Sequence, residues 1–326
     1  MKNKRNLDLS LVIPVYNEAE NLEILYREIK SSCENLGKSY EVIFIDDGST
    51  DDSALVLTNI WKQYPAIRII KLRKNFGQTA ALSAGFDHSR GEVIITLDAD
   101  LQNDPADFGL LIKKIEEGYD IASGWRVKRK DKLFSRRLPS STANWLISAI
   151  TRVKLHDYGC TLKAFRKEVL KSINLYGEMH RFIPAIASQM GVSIAEVKVN
   201  HRPRRFGKSK YSMLRFVKVM LDLLTVKFFL SYSTRPLQIF GIFGIASGSV
   251  GGVMALYLSY RRLVLLESIA NRPLLFLAIL LIVIGFQFIT LGLLAEILVR
   301  TYHESLEKRI YYIREIIESG LDETSE

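Results

Sequence analysis

Residues 93–102 read VIITLDADLQ. Val93–Leu97 is a short apolar, β-branched run, the pattern of a strand buried on both faces. It breaks at once into two carboxylates one residue apart, Asp98 and Asp100. Two earlier runs end in the same way. Leu9–Val15 (LSLVIPV) leads into Tyr16-Asn17-Glu18, and Tyr40–Ile45 (YEVIFI) leads into Asp46-Asp47-Gly48-Ser49-Thr50. Helical patterns separate them. Leu22, Leu25 and Ile29 fall at helical spacing behind Asn17, the expected cap. Gln78–Phe86 reads as a helix, and Pro105 opens another. Ile67–Leu72 and Tyr119–Ser123 read as further strands. This alternation predicts an α/β domain with a mostly parallel sheet covered on both faces. Ligands of such sheets bind beyond the carboxyl ends of the strands, and the polar clusters fall at those ends.

The rest of the chain sets the setting. Its 326 residues suggest about two domains. Lys and Arg number 45 against 35 Asp and Glu, a net charge of +10. A hydrophobic content of 48% excludes a disordered chain. Two cysteines, Cys33 and Cys160, without a CxxC pair exclude a disulfide framework and argue against zinc or redox chemistry. Mean hydropathy is +0.08 despite all this charge, so something very apolar offsets it. That is the last third. Pro236–Tyr260 and Pro273–Ala295 are 25 and 23 residues without a formal charge, each long enough as a helix to cross about 30 Å of hydrocarbon. Two transmembrane helices are expected in preference to two buried core helices, joined by the loop Arg261–Arg272. Leu9–Val15 reads as a strand, not as a signal peptide.

Arg202–Arg235 carries nine Lys or Arg and one acid, Asp222. With Arg300, Lys308, Arg309 and Arg314 beyond the second span, the positive-inside rule puts both flanks in the cytoplasm, although the loop's three arginines pull the other way. In Tyr211–Leu230 the polar residues Arg215, Lys218, Asp222 and Thr225 form one narrow helical stripe, which suits an amphipathic helix in the membrane interface. Basic charge beside membrane spans points to lipid headgroups or phosphates as partners, not to nucleic acid. The expected division is a catalytic domain over 1–210, a juxtamembrane helix over 211–235, a hairpin over 236–297, and a cytoplasmic helix and tail over 298–326.

Asp98 and Asp100 can both reach one divalent cation. Their hard oxygens, with Gln102 adding another, suit Mg²⁺ or Mn²⁺ bridged to a diphosphate. Asp47 can accept from a uracil or ribose, and Pro14–Tyr16 can stack on a base. A dinucleotide phosphate loop and a Walker loop are both missing.

The runs IPVYNE, IDDGSTD, DADLQ with DP, and RRFGKSKYS resemble the glycosyltransferases of family two, with the GT-A nucleotide-sugar fold. More narrowly, the chain resembles polyisoprenyl-phosphate glycosyltransferases, which include dolichol-phosphate mannose synthases and bacterial bactoprenol glucosyltransferases. The motifs cover about residues 9–210, and two C-terminal spans fit the bacterial type. The resemblance implies that Pro14, Tyr16, Glu18, Ile45 and Asp47 hold the nucleoside. It gives Asp98, Asp100 and Gln102 to the metal, with Ala99 lending backbone, and turns Arg126 towards the diphosphate. Arg204 and Lys210 match a loop that closes over the nucleotide; two cations placed by Gly207 make a phosphate clamp and lid.

Asp157 is the family's candidate beside the acceptor, as general base or to orient it. A phosphate monoester with a second pKa of about 6 is already largely ionised at neutral pH, so a strong base is not demanded. His156 reads equally as a structural residue. Lys128, Arg129, Lys130, Arg136 and Arg137 lie in a basic run that resembles the acceptor-side loop and can meet lipid phosphate. The implied activity is inverting, metal-dependent transfer of a sugar from a nucleotide sugar to polyprenyl (undecaprenyl) phosphate at the plasma membrane. Glucose from UDP-glucose is the first expectation; GDP-mannose or a UDP-amino sugar is the alternative. A processive polysaccharide synthase needs a Gln-x-x-Arg-Trp motif, which none of the six glutamines begins. A nonenzymatic nucleotide-sugar sensor needs no Asp157, and two uncharged spans make no path for a transporter. Gly241, Gly244, Gly248, Gly251 and Gly252 permit close helix contact, within the hairpin or in a homo-oligomer.

Overall fold

The computed structural model describes residues 7–64, 66–127, 148, 153–173, 175, 179–203, 236–266, 273–304 and 310–318. The chain divides into two compact units, Met1–Val226 with Arg309–Glu326, and Lys227–Lys308.

The first unit alternates as its sequence predicts: β1 (Leu7–Val15), α1 (Ala19–Leu36), β2 (Tyr40–Asp46), α2 (Ser53–Gln63), β3 (Ile67–Leu72), α3 (Gln78–His88) and β4 (Gly91–Thr96). A 3₁₀ turn over Pro105–Asp107 leads into α4 (Phe108–Glu116), then β5 (Ile121–Trp125). Next come β6 (Lys163–Arg166), α5 (Lys167–Lys171), α6 (Ile183–Ser188) and β7 (Ile194–Lys198). The last strand, β8 (Ile313–Ile317), follows the second unit. Among the described residues these strands form one eight-stranded sheet in the order β7-β5-β6-β4-β1-β2-β3-β8. The pairs β1–β2, β1–β4, β2–β3 and β5–β7 are parallel. Strand β6 is antiparallel to both β4 and β5, and β8 is antiparallel to β3.

The two-residue period of β1 sorts its side chains between two cores. Leu9, Leu11, Ile13 and Val15 pack with Leu22, Leu25 and Ile29 of α1 and with Phe108 and Leu111 of α4. Val12 points the other way, with Ile43 and Ile45 of β2, and packs under Ala80, Ala81 and Ala84 of α3. A Cβ at Gly85 would run into Val12 and Ile45, so α3 lies on the sheet as closely as a glycine allows.

Two expectations are corrected. Asn17 does not cap α1. It has a φ of +58°, and its side-chain oxygen accepts from Thr50 N–H at 2.8 Å. Bonding to the neighbouring strand-end loop competes with the cap. The segment 298–326, expected as helix and tail, instead extends a helix to Glu304 and then supplies β8. Its β-branched run Ile313–Ile317 suits an open sheet edge. Tyr311 is buried and donates to Asp87 at 2.6 Å. Glu318 lies 2.6 Å from Arg68 Nε and 2.9 Å from Arg90. Arg68 also reaches Glu41 at 3.1 Å, with both side chains buried. A buried guanidinium is tolerated when paired, and β8 delivers one of the pair's carboxylates.

In the second unit, α7 (Pro236–Leu263) and α8 (Pro273–Glu304) are long and apolar enough to cross a membrane, over Phe240–Leu263 and Pro273–Ala295. They meet through small residues. A Cβ at Gly244 would lie 2.7 Å from Gly285 O, and one at Gly251 would lie 2.8 Å from Ala278 O. Ser247 donates to Leu281 O at 2.9 Å. Phe243, Leu256 and Phe286 stand outward and exposed within the unit, as lipid-facing side chains do. The expected juxtamembrane helix over 211–235 lies outside the described residues.

The β8 ledger is testable by denaturant unfolding in detergent. Glu318→Ala leaves Arg68 one carboxylate and is expected to cost about 2 kcal/mol. Arg27→Ala, which breaks an exposed pair with Glu23, should change stability by less than about 0.5 kcal/mol.

Candidate active site

Parallel register brings the strand ends level. Val15 pairs with Asp46, and Val12 with Thr96, so Tyr16-Asn17-Glu18, Asp46-Asp47 and Asp98-Ala99-Asp100 emerge on one edge. Strand β6 runs the other way. Its first residue, Lys163, pairs with Thr96 and Ser123, so the segment before it, 157–162, returns to the same edge.

The loops that follow β1 and β2 are cross-braced. Asp46 accepts from Ser49 N–H at 2.9 Å, and Ser49 Oγ accepts from Asn17 N–H at 3.1 Å. Both oxygens of Asp47 accept backbone N–H bonds, from Phe76 at 2.7 Å and Gly77 at 2.9 Å. Burial still pushes its carboxyl up from the usual value. Gly48 has a φ of +67°, and a Cβ there would sit 2.5 Å from Lys74 C, so this turn needs glycine. Tyr16 and Glu18 are half-buried beside it. Ile45 is fully buried in the core under α3, so its side chain serves packing.

The two central carboxylates share one loop. Asp98 Oδ1 accepts from Gln78 Nε2 at 2.8 Å, and Oδ2 from Thr161 Oγ1 at 2.7 Å. Asp100 is buried and accepts from Gln102 N–H at 3.2 Å. Between Asp100 and Gln102 stands Leu101, buried with a φ of +59°, a left-handed conformation that a branched residue adopts only under constraint. Burial, and the neighbouring Asp100 carboxylate, push Asp98 up to about 6. Thr161, Arg126 and Lys163 act in the opposite sense. Such a like-charge pair fits a divalent cation, which takes oxygen ligands. Among the described residues no group of three or more His, Cys, Asp or Glu gathers to hold a metal. Two carboxylates are a ligand set that suits a cation which keeps waters and substrate phosphates. Gln102 is half-buried, and its carbonyl accepts from Arg202 N–H at 2.8 Å.

Across the edge stands an ion pair. Arg126 donates from Nε to Asp157 Oδ2 at 2.7 Å and from Nη2 to Oδ1 at 2.9 Å. This bidentate geometry fixes both side chains. Asp157 is buried. Glu196 of β7 secures the turn from behind, accepting from His156 N–H at 2.6 Å and Asp157 N–H at 3.2 Å. His156 shares a bond with Glu196 Oε2 at 2.7 Å and stacks on Trp125, centroids 4.2 Å apart, which is a structural use of that histidine.

A recess between the two sides is lined by Pro14, Gln78, Asp98, Tyr158, Lys163 and Arg181, among others. His180 also lines it, with Nδ1 2.8 Å from Thr79 Oγ1. Beyond β7, Asn200 bonds Asp107 through N–H at 2.6 Å, and Arg202 meets Glu28 at 2.7 Å and Asp104 at 2.8 Å. The chain that leads to the expected lid is thus fixed to the segment 102–107 that follows Asp100. Arg204 and Lys210 of that lid, and Lys128, Arg129, Lys130, Arg136 and Arg137 of the basic run, lie outside the described residues. Cys33 and Cys160 are buried, and burial pushes the Cys33 thiol up to about 12.

The family model for glycosyl transferase family 2 matches residues 10–173. The dodecaprenyl-phosphate galacturonate synthase of Rhizobium johnstonii is 42% identical over 318 residues, 96% of this chain and 94% of that protein. The chain belongs to glycosyl transferase family 2. A second relative of this glycosyltransferase is the undecaprenyl-phosphate 4-deoxy-4-formamido-L-arabinose transferase of Enterobacter sp. (strain 638). It is 37% identical over 97% of this chain and 96% of its own length. Among solved structures, glucosyl-3-phosphoglycerate synthase from Mycobacterium tuberculosis, in complex with Mn²⁺, UDP and glucosyl-3-phosphoglycerate, superposes with a TM-score of 0.54. It shares 19% identity over 68% of this chain and 80% of that one, which shows the GT-A-like fold.

Sequence reasoning missed four residues of the glycosyltransferase's site: Gln78, Thr161, Lys163 and Glu196. Only Lys163 carried a signal, a cation inside the apolar run Leu162–Phe165. The others are polar residues whose partners lie far along the chain.

The Asp98 shift has a measurable sign. In metal-free protein an unfolded Asp loses its proton near 3.8, whereas folded Asp98 keeps it to about 6. The native state binds more protons between these values, so stability falls as pH rises through that window. Asp98→Asn removes the loss. In chelator its melting temperature, relative to the unaltered protein, should be higher at pH 7.5 than at pH 4 by a few degrees. An equal difference at both values would count against the raised Asp98 pKa.

Proposed function

We propose that this glycosyltransferase moves a sugar, with inversion, from a uridine diphosphate donor to polyprenyl phosphate at the membrane surface. The observation that carries the reading is the pairing of two carboxylate centres across one edge. Asp98 and Asp100 stand on the donor side, and the Arg126–Asp157 pair stands on the acceptor side, four residues along the chain from the Thr161 that bonds Asp98. The names of both relatives, each a polyprenyl-phosphate enzyme, support the acceptor. Two exposed apolar helices support a site that meets so apolar a substrate in the bilayer.

Asp98 and Asp100 would hold Mg²⁺ or Mn²⁺, with Gln102 beside them. The cation, when bound, supplies positive charge to the departing diphosphate. Asp47 keeps the 73–77 loop against the nucleoside side through its two N–H bonds. Arg126, which the resemblance turns towards the diphosphate, in this reading offers the acceptor phosphate a guanidinium that Asp157 holds in one orientation. The acceptor phosphate is largely ionised at pH 7, so Asp157 acts by positioning and need not remove a proton. In-line attack then requires the phosphate opposite the leaving group.

The donor sugar in this reading differs from glucose at C4 and C6. What favours that over the UDP-glucose expected from sequence is the relatives' names, a galacturonate and a 4-deoxy-4-formamido-L-arabinose. The catalytic unit is cytoplasmic in this reading, supported by the basic flank 202–235. The chain also leaves that unit before α7 and re-enters its sheet at β8, which suits an even number of crossings. The basic run 128–137 would face lipid phosphate.

Purified protein, undecaprenyl phosphate, Mg²⁺ or Mn²⁺ and labelled UDP-galacturonate, UDP-4-amino-4-deoxy-arabinose derivatives, UDP-glucose and GDP-mannose decide the matter. Label from one of the first two should enter an organic-extractable lipid and stop with chelator or Asp100→Asn. Asp157→Asn should lower kcat by about 10²-fold with UDP affinity unchanged. Transfer from UDP-glucose alone would restore glucose as the donor. Nucleotide binding without transfer from any donor would overturn the acceptor.

A further inference from the structure

Among the described residues Lys163 is the one buried lysine, 3% exposed at the start of β6. Its ammonium donates to two backbone carbonyls, Tyr158 O at 3.3 Å and Cys160 O at a shorter distance. Among the described residues no carboxylate lies within ion-pair range of it. An ammonium costs several kcal/mol to bury, and neutral carbonyls offset this less well than a carboxylate does. Stability alone would place an apolar side chain here.

The two carbonyls belong to the segment that joins the halves of the site. Asp157 stands one residue before Tyr158, and Thr161 stands one residue after Cys160. Asp157 carries the ion pair to Arg126, and Thr161 donates to Asp98 at 2.7 Å. The Thr161 carbonyl accepts from Thr96 at 2.6 Å, and its hydroxyl accepts from Asn103 at 3.0 Å. Thr161 is therefore fixed to the donor side by three bonds. Between it and Asp157 the chain turns through 158–160, and Lys163 gathers that turn from inside.

We propose that Lys163 is a positioning residue: by bracketing the carbonyls of Tyr158 and Cys160 it sets the separation of Asp157 from Asp98, and so the approach of acceptor phosphate to donor sugar. This rests on the polyprenyl-phosphate reading above. The donor carboxylates keep their other contacts without Lys163, so donor binding survives its loss. The acceptor side slackens instead. A misplacement of about 1 Å costs on the order of 10²-fold in rate. A displaced acceptor also admits water. Water then attacks the anomeric carbon, the bond from that carbon to the diphosphate oxygen breaks, and water's proton passes to solvent. The products are free sugar and nucleoside diphosphate.

The test compares full-length Lys163→Met and Lys163→Arg in detergent, with melting curves and UDP titration beside kinetics. Lys163→Met should bind UDP within about threefold of the unaltered protein while transfer kcat falls by about 10²-fold. The ratio of free sugar to lipid-linked sugar should rise at least severalfold. Lys163→Arg, which keeps a cation and its donors, should recover most of the transfer and lower that ratio. Should Lys163→Met fail to fold, Lys163→Gln, which keeps an N–H donor, carries the same comparison. Unaltered transfer in the variant, or parallel loss of UDP binding and transfer with the hydrolysis ratio unmoved, overturns the bracket. Absence of transfer by the unaltered protein would instead overturn the polyprenyl-phosphate reading, and the bracket with it.

Discussion

Strand β6 lies between β4 and β5 and is antiparallel to both, so the chain enters it at the edge where its neighbours end. Without that reversal, 157–162 would emerge at the opposite end of the sheet, far from Asp98. With it, Thr161 meets Asp98, and Asp157 meets Arg126 at the end of β5. A sheet made only of parallel strands gathers loops that follow strands. One reversed strand adds a loop that precedes a strand, and a transferase needs both a donor side and an acceptor side.

The site is built from charges that are held more than they are neutralised. Burial, and then repulsion from Asp100, pushes Asp98 up to about 6. Burial pushes Lys163 down from the usual lysine value, and Asp157 holds Arg126 in one orientation. Hydrogen bonds from Gln78, Thr161 and backbone N–H groups set each group's direction. Fixed dipoles aimed in advance are what a reaction that separates a diphosphate from a sugar can use. The left-handed Leu101 beside Asp100 belongs to the same economy of constraint.

The alternation of strands and helices was legible because apolar runs such as VIITL and YEVIFI have few other uses. Their endings were legible because Asp, Asn and Gly cluster there. The Arg126–Asp157 pair was half legible: both residues stood out, but their bond joins positions 31 apart through a reversal that no local pattern announces. The resemblance gives Ile45 to the nucleoside, and strand alternation puts its side chain in the core. Asn17 showed cap chemistry and used it on Thr50. The final strand was hidden because Ile313–Ile317 is a short run beyond the charged stretch Glu304–Arg309; pairing with β3 is a tertiary fact.

That final strand also imposes an order of events. Arg68 and the outer edge of β3 are made early in synthesis, but Glu318 and the strand that covers them come only after both apolar helices. The nascent domain waits with one sheet edge open and one buried arginine half-matched until the hairpin has been made. Completion of the sheet thus reports that both apolar helices have been made, and a chain arrested between them carries an unfinished domain.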